Sequence, residues 1–238
     1  MKRSNNGYSY DEIPYPGNAY PETHPDRLAT IGVLFGMEPP AIRCCRVLDI
    51  GCGEGSNIIP MAVSLPQAEL VGIDLADKPI RQAQALMDQA GLANVTVRAM
   101  DLADVAPDFG QFDYIIAHGF YSWVPASIQA KLLKVRQDHL TPNGIAFISY
   151  NTYPAAHFRR ASRDAMLFHL NTTGQPSRRV QEAKSFLGLM LESIEGNDTW
   201  KAVVRDELTR ISGGHLQPEP GGGRRRFERL RNSIREAD

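Results

Sequence analysis

The 238-residue chain carries 26 Lys and Arg residues against 27 Asp and Glu residues, so its net charge is −1. Nucleic-acid binding usually requires a clear basic excess, and we therefore expect no nucleic-acid partner. No apolar run approaches the roughly 20 residues of a membrane span, and the N-terminus lacks the apolar segment of a signal peptide. Three cysteines are too few for a disulfide framework or a zinc site. These features predict a cytoplasmic protein with no membrane partner and no metal.

The N-terminal region, residues 1–45, is predicted to form an arm and a helix that cover a ligand site. Residues 7–26 are rich in Tyr, Pro and Gly, and prolines at this density exclude helix and sheet interior. We expect an extended aromatic arm that packs on the domain. The following helix places Leu28, Ile31, Leu34 and Phe35 on one predicted apolar face.

Residues 46–157 alternate between strand and helix patterns, which indicates an α/β core with a parallel sheet. Five strands are predicted, and the pattern then stops. Residues 158–212 read as a helical extension, and residues 213–238 as a disordered Gly/Arg-rich tail, because they have few apolar side chains to bury. The predicted strands are 46–50, 70–74, 95–99, 112–117 and 145–150, with a helix over about 56–65 after the first strand and a turn over 141–144 before the fifth. The helices of the extension are predicted over 158–170, 177–194 and 200–211.

A glycine-rich turn follows the first strand and contains Gly51, Gly53 and Gly55. In a dinucleotide fingerprint the third glycine would come one residue later, and Asp49 would repel a pyrophosphate. A carboxylate at that position suits a ligand with an ammonium group, such as S-adenosylmethionine. The turn resembles motif I of the class I S-adenosylmethionine-dependent methyltransferases. A Rossmann oxidoreductase is the alternative with the same fold, but it leaves Asp49 unexplained.

The ends of the second and third strands carry further candidate cofactor ligands. Asp74 closes the second strand, where its two oxygens can accept ribose hydroxyls, and Leu75 follows it. Asp101 closes the third strand, where it can accept the exocyclic amine of adenine while Leu102 packs on the ring. For each acid the alternative role is a helix cap, although Asp77 is predicted to cap the helix that follows the second strand.

Candidate catalytic residues follow the fourth and fifth strands. They are His118, which is also a candidate cofactor contact, Tyr121 and Tyr153. Methyl transfer from a sulfonium depends mainly on positioning, and a general base is helpful without being obligatory. Aromatic faces additionally stabilise sulfonium and ammonium groups through cation–π contacts.

Three further segments resemble one bacterial family. They are residues 14–28, residues 118–125 and residues 150–157. The chain is similar there to class I methyltransferases that carry a methyltransferase regulatory domain, including rickettsial protein-lysine methyltransferases. This resemblance implies a Rossmann-like sheet of order 3-2-1-4-5 and methyl transfer from S-adenosyl-L-methionine to an acceptor, either a protein lysine or a small molecule.

One departure from the family concerns the C-terminal part. The family continues into the last strands of the sheet, whereas this chain runs into the Gly/Arg-rich tail. We therefore hypothesise a truncated or frame-shifted product with its break near Ser212. A non-catalytic S-adenosylmethionine-binding module is then an alternative function. The fifth strand would be an exposed edge, which predicts aggregation or an edge-strand homodimer.

Overall fold

A computed structural model describes residues 17–170, 176–196 and 199–211. The chain divides between Thr152 and Tyr153 into two compact units, which are described separately. The predictions for residues 1–16, for the tail 213–238 and for a break near Ser212 lie outside the described residues.

The first unit contains a five-stranded parallel sheet of order β3-β2-β1-β4-β5, which confirms the predicted fold class. The central strands are buried on both faces, as expected for a parallel sheet covered by helices. Each strand is a short apolar run that ends near a polar residue. The strands are β1 (Arg46–Ile50), β2 (Glu69–Asp74), β3 (Val95–Ala99), β4 (Phe112–Ala117) and β5 (Leu140–Ile148).

Helices cover both faces of this sheet, and two apolar clusters fill the space between them. Successive β1 residues alternate between the clusters, so Val47 packs with α2 and α3 whereas Leu48 packs with α4. The helix predicted over about 56–65 is shorter than expected, because the glycine turn continues to Asn57. The helices are α1 (Pro25–Leu34), α2 (Ile58–Ser64), α3 (Asp77–Ala90) and α4 (Ala126–His139).

The buried face of α1 differs from the predicted one. Leu28 is buried as expected, but Ile31, Leu34 and Phe35 are 45%, 79% and 84% exposed. The face that packs on the sheet instead contains Gly32, where a methyl group would meet Ile145 at 2.9 Å. Because Gly32 has no side chain, the backbone of α1 can approach β5 closely. The apolar side chains of Ile31, Leu34 and Phe35 then point away from this contact.

Strand β5 is the edge of the sheet in the described part of the chain, as predicted, and it pairs there only with β4. It begins at Leu140, earlier than expected. The predicted turn over 141–144 forms an irregularity inside the strand. The register of pairing shifts there, because Phe112 pairs with Leu140 whereas Tyr114 pairs with Ile145. Asn143 takes a left-handed conformation there, with φ of 64°.

The second unit contains three helices in its described residues: α5 (Ala155–His169), α6 (Pro176–Ser193) and α7 (Thr199–Ile211). Leu187 of α6 and Val204 of α7 are fully buried. The helices agree with those predicted after residue 158, although each begins earlier by one to three residues. In the part of the chain that the structure describes, none of the helices has the length and apolar character needed to cross a membrane.

Candidate cofactor and methyl-transfer site

The glycine turn after β1 forms a tight loop that leaves space above its backbone. Gly51, Gly53 and Gly55 have φ values of 79°, 54° and 81°. The amides of Gly51 and Cys52 both donate to the carbonyl of Ile73, at 2.8 and 3.2 Å. A methyl group placed on Gly53 would meet nothing within 4 Å. A ligand can therefore approach the main chain of this turn closely at Gly53.

Asp49 lies in β1 just before the turn, and only 3% of it is exposed. Burial raises the pKa of its carboxyl to about 7, a hydrogen bond from the Asn57 side chain lowers it, and nearby Asp74 raises it further. Its Oδ2 atom has no hydrogen-bond partner among the described residues. A buried carboxylate oxygen without a partner is costly, and a cationic ligand group would relieve that cost.

Asp74 ends β2 with both carboxylate oxygens held by backbone amides. Oδ2 accepts from Gly53 N at 2.9 Å, and Oδ1 accepts from Ala76 N at 2.8 Å. Helix α3 begins at Asp77, and its N-cap residue Ala76 makes no side-chain cap bond. The expectation that Asp77 is the cap is therefore wrong. Each Asp74 oxygen keeps a further lone pair, so ribose hydroxyls can still be accepted by a carboxylate already fixed in place.

The two residues predicted around adenine have structural roles as well. The Asp101 carboxylate accepts from Ala103 N at 2.9 Å and caps the short 3₁₀ helix Leu102–Asp104. Leu102 is only 5% exposed and packs in the apolar cluster under α4. Leu75 is 73% exposed and is therefore an available apolar surface at this edge. The cofactor contacts of these residues stay predictions.

His118 follows β4 directly and lies between two aromatic rings. The centroid of its ring is 3.9 Å from that of Tyr20 and 5.9 Å from that of Phe147. Burial lowers the pKa of His118, and the charge of Glu22 partly offsets this effect. Its Nδ1 atom is buried and has no partner among the described residues. The imidazole is therefore neutral at pH 7 and has an unused ring nitrogen.

The two tyrosines predicted to be catalytic belong to different units. Tyr121 lies in the 3₁₀ helix Tyr121–Trp123 of the first unit, and its ring centroid is 6.2 Å from that of Tyr150. Tyr153 begins the second unit, where its ring stacks on His157 at 4.0 Å. Both assignments stay predictions.

Three contacting residues were missing from the predicted set. Tyr20 covers His118, Asn57 contacts both Asp49 and the arm, and the Phe120 ring lies against Gly51, where a methyl group would meet it at 2.7 Å. The aromatic composition of the arm indicated the first of these. No local sequence pattern indicated Asn57 or Phe120, because the residues that they contact are distant in the sequence or lie across a loop.

The described residues fit S-adenosylmethionine on chemical grounds. The unpartnered Asp49 oxygen suits an ammonium group, Asp74 has lone pairs for hydroxyls, and the turn at Gly53 is open to a ligand. The same carboxylate would repel a pyrophosphate, which disfavours the dinucleotide alternative. Within the described ranges, no group of three or more His, Cys, Asp or Glu side chains could hold a metal ion.

Comparison with known proteins agrees with this site. Residues 47–144 match a family model described as a methyltransferase domain. The chain is 38% identical over 213 residues to the uncharacterized protein RP028 of Rickettsia prowazekii. The aligned region covers 89% of this chain and 85% of that protein. It is 40% identical over 105 residues to nocamycin O-methyltransferase of Saccharothrix syringae, covering 39% of this chain and 38% of that enzyme.

A solved structure is also similar. It is PKMT2 from Rickettsia typhi in complex with AdoHcy, with 37% identity and a TM-score of 0.72. The match covers 84% of this chain but only 38% of that chain. This chain thus spans most of one rickettsial relative and little more than a third of another.

Proposed function

Because this chain belongs to the class I S-adenosylmethionine-dependent methyltransferases, we propose that its methyl acceptor is the side-chain amine of a protein lysine. The observation that carries this proposal is the half-buried His118 ring, whose lowered pKa keeps it neutral and whose buried Nδ1 atom has no partner among the described residues. Similarity to PKMT2 over most of this chain supports it further.

A lysine acceptor must lose a proton before its nitrogen has a lone pair for attack. His118 is suited to take that proton, because burial lowers its pKa and keeps the ring neutral. In a neutral imidazole one nitrogen is an acceptor, and the unpartnered Nδ1 is available for that role.

The aromatic rings around His118 suit a cationic acceptor before deprotonation. Tyr20 and Phe147 flank the histidine, and Tyr121 lies in the loop that follows it. Ring faces attract ammonium groups by about 0.5–2 kcal/mol each, depending on solvent exposure. These residues would hold the lysine side chain, whereas an uncharged acceptor would gain no cation–π attraction from them.

Asp49, Asp74 and the glycine turn would hold S-adenosylmethionine, which supplies a methyl group bound to a positively charged sulfur. Asp49 would pair with the ammonium group and Asp74 with ribose hydroxyls. Both carboxylates are positioned by the protein before any ligand arrives, so little ordering entropy would be lost on binding.

A labelling experiment tests the acceptor class. The chain is incubated with methyl-labelled S-adenosylmethionine and bacterial lysate proteins, and in parallel with the same proteins after acetylation of their lysines. We expect label in the untreated proteins, located on lysine by mass spectrometry, and little in the acetylated ones. Label that survives acetylation, or that enters only small molecules, would refute a lysine acceptor.

Two variants separate binding from catalysis. His118→Asn keeps a planar polar side chain but removes the base, and it should lower the rate about 100-fold while S-adenosylhomocysteine binds nearly as before. Asp74→Ala should weaken binding itself. Binding of the cofactor with no label on any acceptor would instead favour the non-catalytic module.

A further inference from the structure

Asn57 directly precedes α2, in the position where asparagine usually caps a helix, yet its side chain does not do so. The residue has φ of −95° and ψ of −47°, and it makes no side-chain cap bond. Asparagine at this position normally accepts from an amide two or three residues later and adds about 1 kcal/mol to stability. The side chain is used elsewhere.

On one side, the Asn57 side chain holds the N-terminal arm. Its Oδ1 accepts from Tyr20 N at 3.0 Å, and its Nδ2 donates to Thr23 Oγ1 at 3.1 Å. Thr23 is completely buried, and its hydroxyl donates to the Tyr20 carbonyl at 2.8 Å. A backbone N–H can only donate, so the contact with Tyr20 determines which end of the amide is the oxygen.

On the other side, Asn57 belongs to the glycine turn at which the cofactor is expected to bind. It is the last residue of that turn and directly precedes α2. A hydrogen bond from its side chain lowers the pKa of the buried Asp49 carboxyl, against the larger effect of burial. The residue that holds the arm is therefore part of the turn that forms the cofactor site.

The segment held in this way covers the site. Gly17 lies so close to the glycine turn that a methyl group on it would clash with the Ser56 side chain. A few residues later, the Tyr20 ring lies 3.9 Å from the His118 ring. Residues 17–23 therefore extend from the glycine turn to His118, and the hydrogen bonds to Asn57 hold this segment in place.

We propose that Asn57 is a positioning residue that couples the N-terminal arm to the cofactor pocket, because it lies in the glycine turn and holds Tyr20 and Thr23 of the arm through its side-chain hydrogen bonds. Occupancy of the pocket then tightens the arm, and a tight arm strengthens cofactor binding by the same factor, since coupling between two sites is reciprocal. This proposal depends on the cofactor site and not on the lysine acceptor, so it survives if the acceptor proves different.

The experiment measures the arm and the pocket separately, without turnover. Amide hydrogen exchange at Tyr20 reports directly on the bond to Asn57, and calorimetry measures the affinity for S-adenosylhomocysteine. In the unaltered chain, saturating S-adenosylhomocysteine should slow exchange at Tyr20 at least fivefold. In Asn57→Ala this ligand-dependent slowing should vanish, and affinity should fall by about the same factor of five, because the coupling between arm and pocket is lost.

Two further variants keep the test decisive. Thr23→Val removes the hydroxyl at nearly constant volume, far from the ligand in sequence, and should still weaken S-adenosylhomocysteine binding severalfold. Ser64→Ala removes another bond between the arm region and α2, that of His24 Nε2 to Ser64 Oγ at 2.9 Å, and is the matched control. It should leave both the affinity and the slowing at Tyr20 unchanged.

Three outcomes would overturn the proposal. The first is Tyr20 exchange that is insensitive to S-adenosylhomocysteine in the unaltered chain. The second is unchanged affinity in Thr23→Val, which decides the matter even if Asn57→Ala does not fold. The third is an equal effect of Ser64→Ala, because any loosening of the arm would then suffice and Asn57 would have no particular role.

Discussion

Replacing Asp49 by Asn should stabilise the ligand-free protein at neutral pH and at the same time weaken cofactor binding. The carboxyl is buried, and its Oδ2 atom has no partner among the described residues. The ionised carboxylate therefore destabilises the ligand-free fold, and its benefit lies in binding the cofactor. Functional sites often trade stability for binding in this way.

The magnitude follows from the pKa of Asp49, which burial raises from 3.8 to about 7. Between these values the folded protein holds a proton that the unfolded chain has lost, so the free energy of unfolding falls as pH rises. At 1.36 kcal/mol per pKa unit, the full cost above pH 7 is on the order of 4 kcal/mol. Between pH 5 and pH 7.5 the decrease from this one group is about 2.5 kcal/mol.

Urea unfolding at pH 5 and pH 7.5 measures this decrease in the unaltered chain and in Asp49→Asn. Every other titrating group contributes to both proteins, so the difference between their pH dependences isolates Asp49. The variant should lose about 2 kcal/mol less than the unaltered chain between the two pH values. Asp77→Asn, at an exposed carboxylate paired with Arg81, is the control and should behave like the unaltered chain.

The reasoning would be refuted by an Asp49→Asn variant whose unfolding free energy shows the same pH dependence as that of the unaltered chain. Calorimetry completes the test. S-adenosylmethionine should bind the variant at least tenfold more weakly, since its ammonium loses a charged partner.

Three other predictions follow from the site and the sheet. Asp74→Ala should weaken S-adenosylhomocysteine binding by more than 1 kcal/mol in calorimetry, whereas Asp77→Ala should not. Gly51→Ala should lower the unfolding free energy more than Gly91→Ala, because both need positive φ but only the first meets a ring, at 2.7 Å. The amides of residues 146 and 148, on the unpaired side of β5, should exchange hydrogen quickly in the monomer. Their exchange should slow as protein concentration rises, because a second copy can pair with this edge. Slow exchange in the monomer would show that the edge is already covered.

The parallel sheet and the places of the candidate site residues at its strand ends were predictable from local patterns, whereas the strand order was implied by the family resemblance. Short apolar runs separated by helical segments determine a parallel sheet, and Asp74 could be placed at the carboxyl end of β2 because a strand ends where its apolar run ends. The glycine turn was equally recognisable, since positive φ values restrict the residue type to glycine. These features depend on neighbours within a few residues.

Other features of the site depended on segments that are distant in the chain. The sequence predicts an acid at residue 49, but only packing of the helices over β1 buries it and raises its pKa. Likewise Asn57 bonds to Tyr20 across 37 residues, and the face that α1 buries was set by Gly32 against Ile145. The local sequence determines which secondary structure forms. Burial and side-chain partners arise only when segments that are distant in the chain pack together and exclude water.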